Sequence, residues 1–172
     1  MKKLLPLAAL LAVPAHAQDG QVYYASNSWP VNAAGRTCTM VQAAPEDGNV
    51  LSVSYDGAEL TLTSTSTLES ALPAAGKVTL VIVFLDNRNG DLDFDEGWGA
   101  REFTYTRDGA AYRFSTRIPG EKNVRQFLTD LASSRTIGLL QGDDAVVAYE
   151  LKGISPSIAQ LRACAARSVA AN

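Results

Sequence analysis

Histidine is almost absent from this chain, which has one in 172 residues, His16. We expect even this histidine to be removed with an N-terminal export signal, which leaves no imidazole in the rest of the chain. Ser-His-Asp and Cys-His mechanisms and most zinc sites use imidazole as a base or a ligand. The sequence therefore argues against the common hydrolase mechanisms and leaves catalysis by a pair of carboxylates open.

A long apolar run is missing as well. The apolar segment 4–13 is shorter than the roughly 20 residues that a membrane helix needs. It follows Lys2 and Lys3 and precedes Ala15-His16-Ala17, which fits the small-x-small cleavage pattern. We expect residues 1–17 to be a signal peptide, residues 18–172 to form a single β-rich domain, and the product to be exported to the periplasm.

Positive charge is in short supply. Removal of Lys2 and Lys3 leaves 13 of the 15 basic residues against 18 acidic ones, a formal charge of −5. This balance argues against nucleic acid as a partner. A chain of this size is one ordinary domain with a substantial core.

Cysteine is rare, with two residues in the chain, Cys38 and Cys164. In an oxidising compartment an even number of cysteines predicts disulfides, and two cysteines allow one pairing. A redox or metal pair is the alternative. The absence of a CxxC spacing and of histidine disfavours it.

Alternating apolar and polar residues predict most of the fold. Strands and hairpins are expected in 36–42, 50–65, 77–84, 101–118 and 136–151, with a central strand at 77–84. Segment 21–35 is predicted to be irregular, because Trp29-Pro30 and the run from Asn32 to Gly35 break any pattern.

Two segments change to helical periodicity. Segment 121–134 has apolar residues at i, i+3, i+4 and i+7, and segment 155–167 is predicted to form about three turns. Ser155 is expected to cap the second helix, with Pro156 at its first position. The predicted fold is mainly β (α+β), an antiparallel β-sandwich or half-barrel of seven or eight strands with two helices in the C-terminal third.

The segment 85–98, LDNRNGDLDFDEGW, is the one sharp chemical signal. Its spacing follows the 12-residue calcium loop, with Gly90 at the sharp turn and Leu85 where the first carboxylate is expected. Because the flanks are strand-like, this would be a calcium loop between strands. The predicted Ca²⁺ ligands are Asp86, Asn87, Asn89, Asp91, Asp93 and Glu96. The asparagines predict weak binding, on the order of 10⁻⁴ to 10⁻³ M.

Two alternatives remain open for this segment. It is also compatible with a polar hairpin end, in which an Asn-Gly pair turns the chain and the carboxylates keep it soluble. A catalytic carboxylate cluster would need one member buried with a raised pKa.

Three arginines of the 101–118 hairpin, Arg107, Arg113 and Arg117, are predicted to form a basic stripe on an exposed sheet face. Such a stripe would contact an anion or a polysaccharide. The alternative is a solvated face whose charges protect the sheet from aggregation.

The order of motifs resembles a known family. An early Trp29, CTMVQ at 38–42, FLTDL at 127–131 and YELKGISPSIAQLRAC at 149–164 are similar to small exported proteobacterial β-sandwich proteins of the invasion-associated locus B type. The acidic segment departs from that pattern, as does the single cysteine pair. The resemblance implies a periplasmic protein without enzymatic activity.

We therefore expect a periplasmic binding or interaction module for a protein or an envelope component, with Ca²⁺ as a ligand of the acidic segment. The alternative is a carboxylate-dependent enzyme acting on cell-wall glycans, which would need two facing carboxylates about 5 to 9 Å apart.

Overall fold

The described chain forms a β-rich domain in which side chains along most strands alternate between buried and exposed positions. The computed structural model describes residues 21–42, 48–67, 72–85 and 98–170. Within these ranges the elements are β1 (Gln21–Tyr24), β2 (Val31–Ala34), β3 (Thr37–Val41), β4 (Val50–Tyr55), β5 (Glu59–Thr67), β6 (Ala75–Leu85), β7 (Ala100–Asp108), β8 (Ala111–Pro119), α1 (Glu121–Ser133), β9 (Thr136–Gln141), β10 (Asp144–Glu150) and α2 (Ile154–Ala170).

The strands form one antiparallel sheet in the order β1-β2-β3-β4-β5-β8-β7-β6-β9-β10. The sheet is open but curled. The Tyr149 hydroxyl on β10 lies 2.6 Å from the Ser64 hydroxyl on β5, although four strands separate β5 from β10 in the sheet. Near its two edges, the Trp29 indole N–H donates to the Lys152 carbonyl at 3.2 Å. The predicted mainly β fold with two helices in its C-terminal part is confirmed.

The helices contribute apolar side chains to the same core as the sheet. Helix α1 buries Val124, Phe127, Leu128 and Leu131 at the predicted spacing. Helix α2 packs against β3 and against α1, and its Leu161 is fully buried. Both helices join one apolar cluster with the inward residues of the strands.

The other face of the central strands is polar. Threonine and serine occupy the outward positions, and they bond across the strands, as in Thr39 with Ser54 at 2.9 Å and Thr63 with Ser115 at 3.0 Å. β-branched polar residues suit such a solvated sheet face.

The disulfide is present where it was predicted. Cys38 on β3 and Cys164 on α2 are bonded, with their Cα atoms 6.1 Å apart. The bond ties the C-terminal helix to the sheet, and both cysteines are buried.

Segment 21–35 corrects the expectation of an irregular chain, because it contains β1 and β2. Val31 pairs with Met40 on β3, and Gly35 turns the chain at φ 58°. The two strands have four residues each and β1 is bulged, so alternation is too short to be recognised. The described sheet has ten strands rather than seven or eight.

Helix α2 also differs from its prediction. It has 17 residues and begins at Ile154, before the expected cap. The Ser155 hydroxyl donates to the Ala132 carbonyl at the end of α1, 2.9 Å away, instead of capping α2. The Ser155 hydroxyl therefore makes a hydrogen bond between the two helices in place of the expected N-cap bond within α2. Neither helix of the described chain is long and apolar enough to cross a membrane.

Candidate binding groove between the helices

A surface groove runs where α1, α2 and the β4–β5 turn meet. We call it the helix groove, and its volume is about 520 Å³. It is lined by Tyr55, Gly57, Glu121, Val124, Arg125, Leu128, Arg162 and Ala166. The groove combines an apolar floor with charged and hydroxyl groups at its sides, which is typical of ligand sites.

Helix α1 supplies a charged pair to the groove. Arg125 Nη2 lies 2.7 Å from Glu121 Oε1, four residues earlier on the exposed face of the helix. Both side chains are well exposed, so this pair contributes little to stability. Below them Val124 and Leu128 point into the core and form the apolar floor.

Helix α2 supplies Arg162. Its Nη2 donates to the backbone carbonyl of Arg125 at 3.4 Å, a contact that holds the side chain across the helix pair. Within the part of the chain that the structure describes, no carboxylate lies within 4.0 Å of this guanidinium. A guanidinium has five N–H donors, and among the described residues one of those of Arg162 donates, to the Arg125 carbonyl.

The β4–β5 turn forms the third wall. Asp56 Oδ1 accepts from the backbone N–H groups of Ala58 and Glu59 at 2.9 and 2.8 Å. These bonds, the one from Glu59 first, hold the pKa of Asp56 below its usual value. Gly57 in this turn has φ 97°, a backbone conformation that glycine adopts without a steric cost.

Tyr55 lies beside this turn, half-buried in the groove wall. Its hydroxyl donates to the Gly57 carbonyl at 3.0 Å. Burial raises the pKa of Tyr55, and the negative charges of Glu121 and Asp56 raise it further, whereas Arg162 opposes them. Tyr55 therefore stays protonated at neutral pH and serves the groove as a hydrogen-bonding group.

The three predicted arginines do not form one stripe. Arg113 and Arg117 lie on the outer face of β8, where Arg117 Nη1 is 3.7 Å from Glu59 Oε2. Arg107 follows the buried Phe103 and Tyr105 at two-residue spacing on β7, so it belongs to the same face of the strand. Its guanidinium carbon lies 5.5 Å from the centre of the Tyr112 ring. The expectation of a shared basic face was wrong for Arg107, because the register assigns it to the inward side at the end of β7.

The six predicted calcium ligands, Asp86, Asn87, Asn89, Asp91, Asp93 and Glu96, lie outside the described residues. The residues that border them are well anchored. Leu85 pairs with Thr136 on β9, and the Trp98 backbone N–H donates to the Ile82 carbonyl at 2.8 Å. The Trp98 indole N–H donates to Asp130 Oδ2 on α1 at 2.9 Å. Over the described ranges no three His, Cys, Asp or Glu side chains form a group suited to a metal ion.

The helix groove could not be predicted from the sequence, because its residues come from three distant segments, around 55, 121–128 and 162–166. One signal was present. Arg162 interrupts the run of small residues on the outer face of a predicted helix, and a cation there has no carboxylate three or four residues away to pair with. Only the packing of α1 on α2 brings it to the groove.

Comparison with known proteins found no match: no protein-family model, no curated protein and no solved structure is detectably similar to this chain.

Proposed function

We propose that this protein is an exported binding module without catalytic activity, and that its helix groove holds an acidic segment of a partner protein. The observation that carries the proposal is Arg162, a cation with no carboxylate partner among the described residues, which lines the same groove as the apolar floor. A ligand with a carboxylate next to an apolar group complements both features. Export is supported by the signal-like N-terminus, and the disulfide is compatible with it.

A peptide suits this groove better than a compact anion. An extended chain presents a carboxylate and a neighbouring apolar side chain a few ångströms apart, and the groove lining offers a guanidinium and apolar side chains together. Arginine clusters recognise acidic motifs in this way in other proteins. The fork of Arg162 allows bidentate contact with a carboxylate.

The chemistry of the groove favours binding over catalysis. The carboxylate of its described lining, Glu121, is exposed and held in an ion pair with Arg125 rather than buried in an apolar pocket. The raised pKa of Tyr55 keeps that group protonated at neutral pH. Neither group has the properties of a general base that works near pH 7.

A small mimic of the ligand tests the proposal. Hexanoate joins a carboxylate to an apolar tail, and we expect it to shift the backbone NMR signals of α1, α2 and the β4–β5 turn with millimolar affinity. Hexylammonium has the same tail and the opposite charge, and should leave these signals in place. Arg162→Gln should abolish the shifts, whereas Lys152→Gln, which removes an exposed cation outside the groove, should retain them. Equal responses to the two ligands, or full shifts in Arg162→Gln, would refute the proposal.

We also propose that this chain's own acidic residues, between Asp86 and Glu96, bind Ca²⁺ weakly. The sequence from Asp86 to Glu96 contains five carboxylates and one arginine, Arg88. A bound cation would therefore reduce the repulsion between the carboxylates. The anchors at Leu85 and Trp98 hold the ends of the segment in place, which lowers the entropic cost of arranging ligands around an ion. The calcium experiment is described in the Discussion.

A further inference from the structure

A second pocket, on the other side of α2, has a different composition. We call it the disulfide pocket, and its volume is about 430 Å³. It is lined by Tyr23, Ala33, Gly35, Arg36, Cys164, Arg167 and Ser168. Two of these residues are arginines and none is acidic, so the lining carries two positive charges. The helix groove, in contrast, carries two arginines and one glutamate.

The two arginines approach the pocket from different elements. Arg36 lies in the β2–β3 turn, directly after Gly35, and Arg167 lies on α2. The guanidinium carbon of Arg167 stands 5.4 Å from the centre of the Tyr23 ring on β1, a cation–π contact that restrains the side chain. The disulfide fixes the wall between them, because Cys164 belongs to the lining and is bonded to Cys38 on β3.

Neither guanidinium is neutralised within the described ranges. No carboxylate lies within 4.0 Å of Arg36 or Arg167 there. Arg36 acts on Asp56, but its effect comes last among the causes that lower the pKa of that carboxyl. The backbone N–H groups of Ala58 and Glu59 already hold the Asp56 carboxylate.

A contribution to helix stability accounts for the position of Arg167 but not for that of Arg36. A cation in the last turn of a helix offsets the macrodipole, and Arg167 has that position in α2. Arg36 belongs to a turn and has no such role. The convergence of Arg36 on the same pocket, whose described lining holds no carboxylate, is therefore the observation that indicates a ligand.

We propose that the disulfide pocket binds a phosphomonoester. Two guanidiniums on separate walls match a dianion whose oxygens accept several charge-assisted hydrogen bonds. The pocket is open at the surface, so the same chemistry suits a soluble phosphorylated molecule or the phosphomonoester headgroup of a lipid. This site is distinct from the helix groove, since no described residue lines both.

The pH dependence of binding identifies the charge that is recognised. The second pKa of a phosphomonoester is about 6, so its charge falls from −2 towards −1 as the pH falls through that value. Guanidinium groups are not deprotonated in proteins, and the described lining contains no histidine. We expect the affinity for phenyl phosphate to fall between pH 7.5 and pH 5. The affinity for sulfate, whose charge stays constant, should not change.

The experiment is a calorimetric titration of the oxidised protein with phenyl phosphate at low ionic strength. Wild type should bind saturably, and Arg36→Gln and Arg167→Gln should each weaken binding by about tenfold or more. Lys152→Gln removes one exposed cation elsewhere and should bind as wild type does. A second arm measures sedimentation of the protein with phosphatidylcholine vesicles with or without phosphatidic acid.

The two arms separate the sources of the phosphate. Phenyl phosphate binding without vesicle binding assigns the site to a soluble ligand. Vesicle binding that needs phosphatidic acid and both arginines assigns it to a lipid headgroup. The proposal is overturned if neither probe binds, if both arginine variants bind as wild type does, or if phosphate and sulfate lose affinity equally at pH 5.

Discussion

Reduction of the Cys38–Cys164 disulfide should strongly destabilise the protein. The bond joins residues 126 positions apart in the sequence, so it constrains most of the unfolded chain. The chain-entropy model gives roughly 4 to 5 kcal/mol for a loop of this length, and measured values are often smaller. We expect reduction to lower the free energy of unfolding by about 3 to 5 kcal/mol.

Urea unfolding of oxidised and reduced wild-type protein measures this difference directly. Reduction leaves both sulfur atoms in the core, so it isolates the cross-link. Replacement of both cysteines by alanine also removes buried atoms, and that variant should be less stable than the reduced protein by about 1 kcal/mol or more. Because the cross-link makes the unfolded state more compact, the oxidised protein should show the smaller dependence on urea.

Two results would refute this reasoning. The first is a difference of less than about 1 kcal/mol between oxidised and reduced protein, which would mean that the loop constraint is not felt. The second is the titration of two free thiols in unfolded, non-reduced protein. That result would show that the bond does not form at all.

Three further perturbations test other parts of the molecule. Phe127→Ala removes a fully buried ring and should cost about 3 to 5 kcal/mol in urea unfolding, against less than about 0.5 for the exposed Lys122→Ala on the same helix; equal costs would contradict the packing of α1. Asp56→Ala should cost about 1 kcal/mol at pH 7. Since the pKa of Asp56 is lowered on folding, this cost should be present above the unfolded pKa of about 3.9 and disappear as the pH falls through the folded value; a cost that persists in acid would mean that the carboxylate is not responsible. Calcium at about ten times a millimolar dissociation constant should add about 1.4 kcal/mol of stability, and Glu96→Gln should remove most of it; a shift equal to that of NaCl at the same ionic strength leaves the segment as a hairpin end.

Strict alternation is what made the hairpins predictable. In β5 and β8 every second residue is buried. Apolar residues such as Leu60, Leu62 and Phe114 alternate with polar ones there, so the strands could be read from the sequence. The helix α1 has a full apolar stripe and was equally clear. The short strands β1 and β2 have too few residues for a pattern, and their pairing with β3 depends on the rest of the sheet.

The sites were less accessible to sequence reasoning for a physical reason. Arg107 could have been placed on the inward face from the sequence, because it follows Phe103 and Tyr105 at two-residue spacing on the same strand. The helix groove and the disulfide pocket could not, since each joins residues from three or more segments through the packing of α2. Chain spacing does not encode such a meeting of distant segments.

The central claim is that the helix groove binds a carboxylate joined to an apolar group. Intermolecular NOEs between hexanoate and the protein locate the ligand most directly. We predict contacts from the terminal methyl group of the ligand to the methyl groups of Ala166 and Val124, which line the groove, with the carboxylate end nearest to Arg162. Saturable binding with NOEs only to residues outside the groove would contradict the claim.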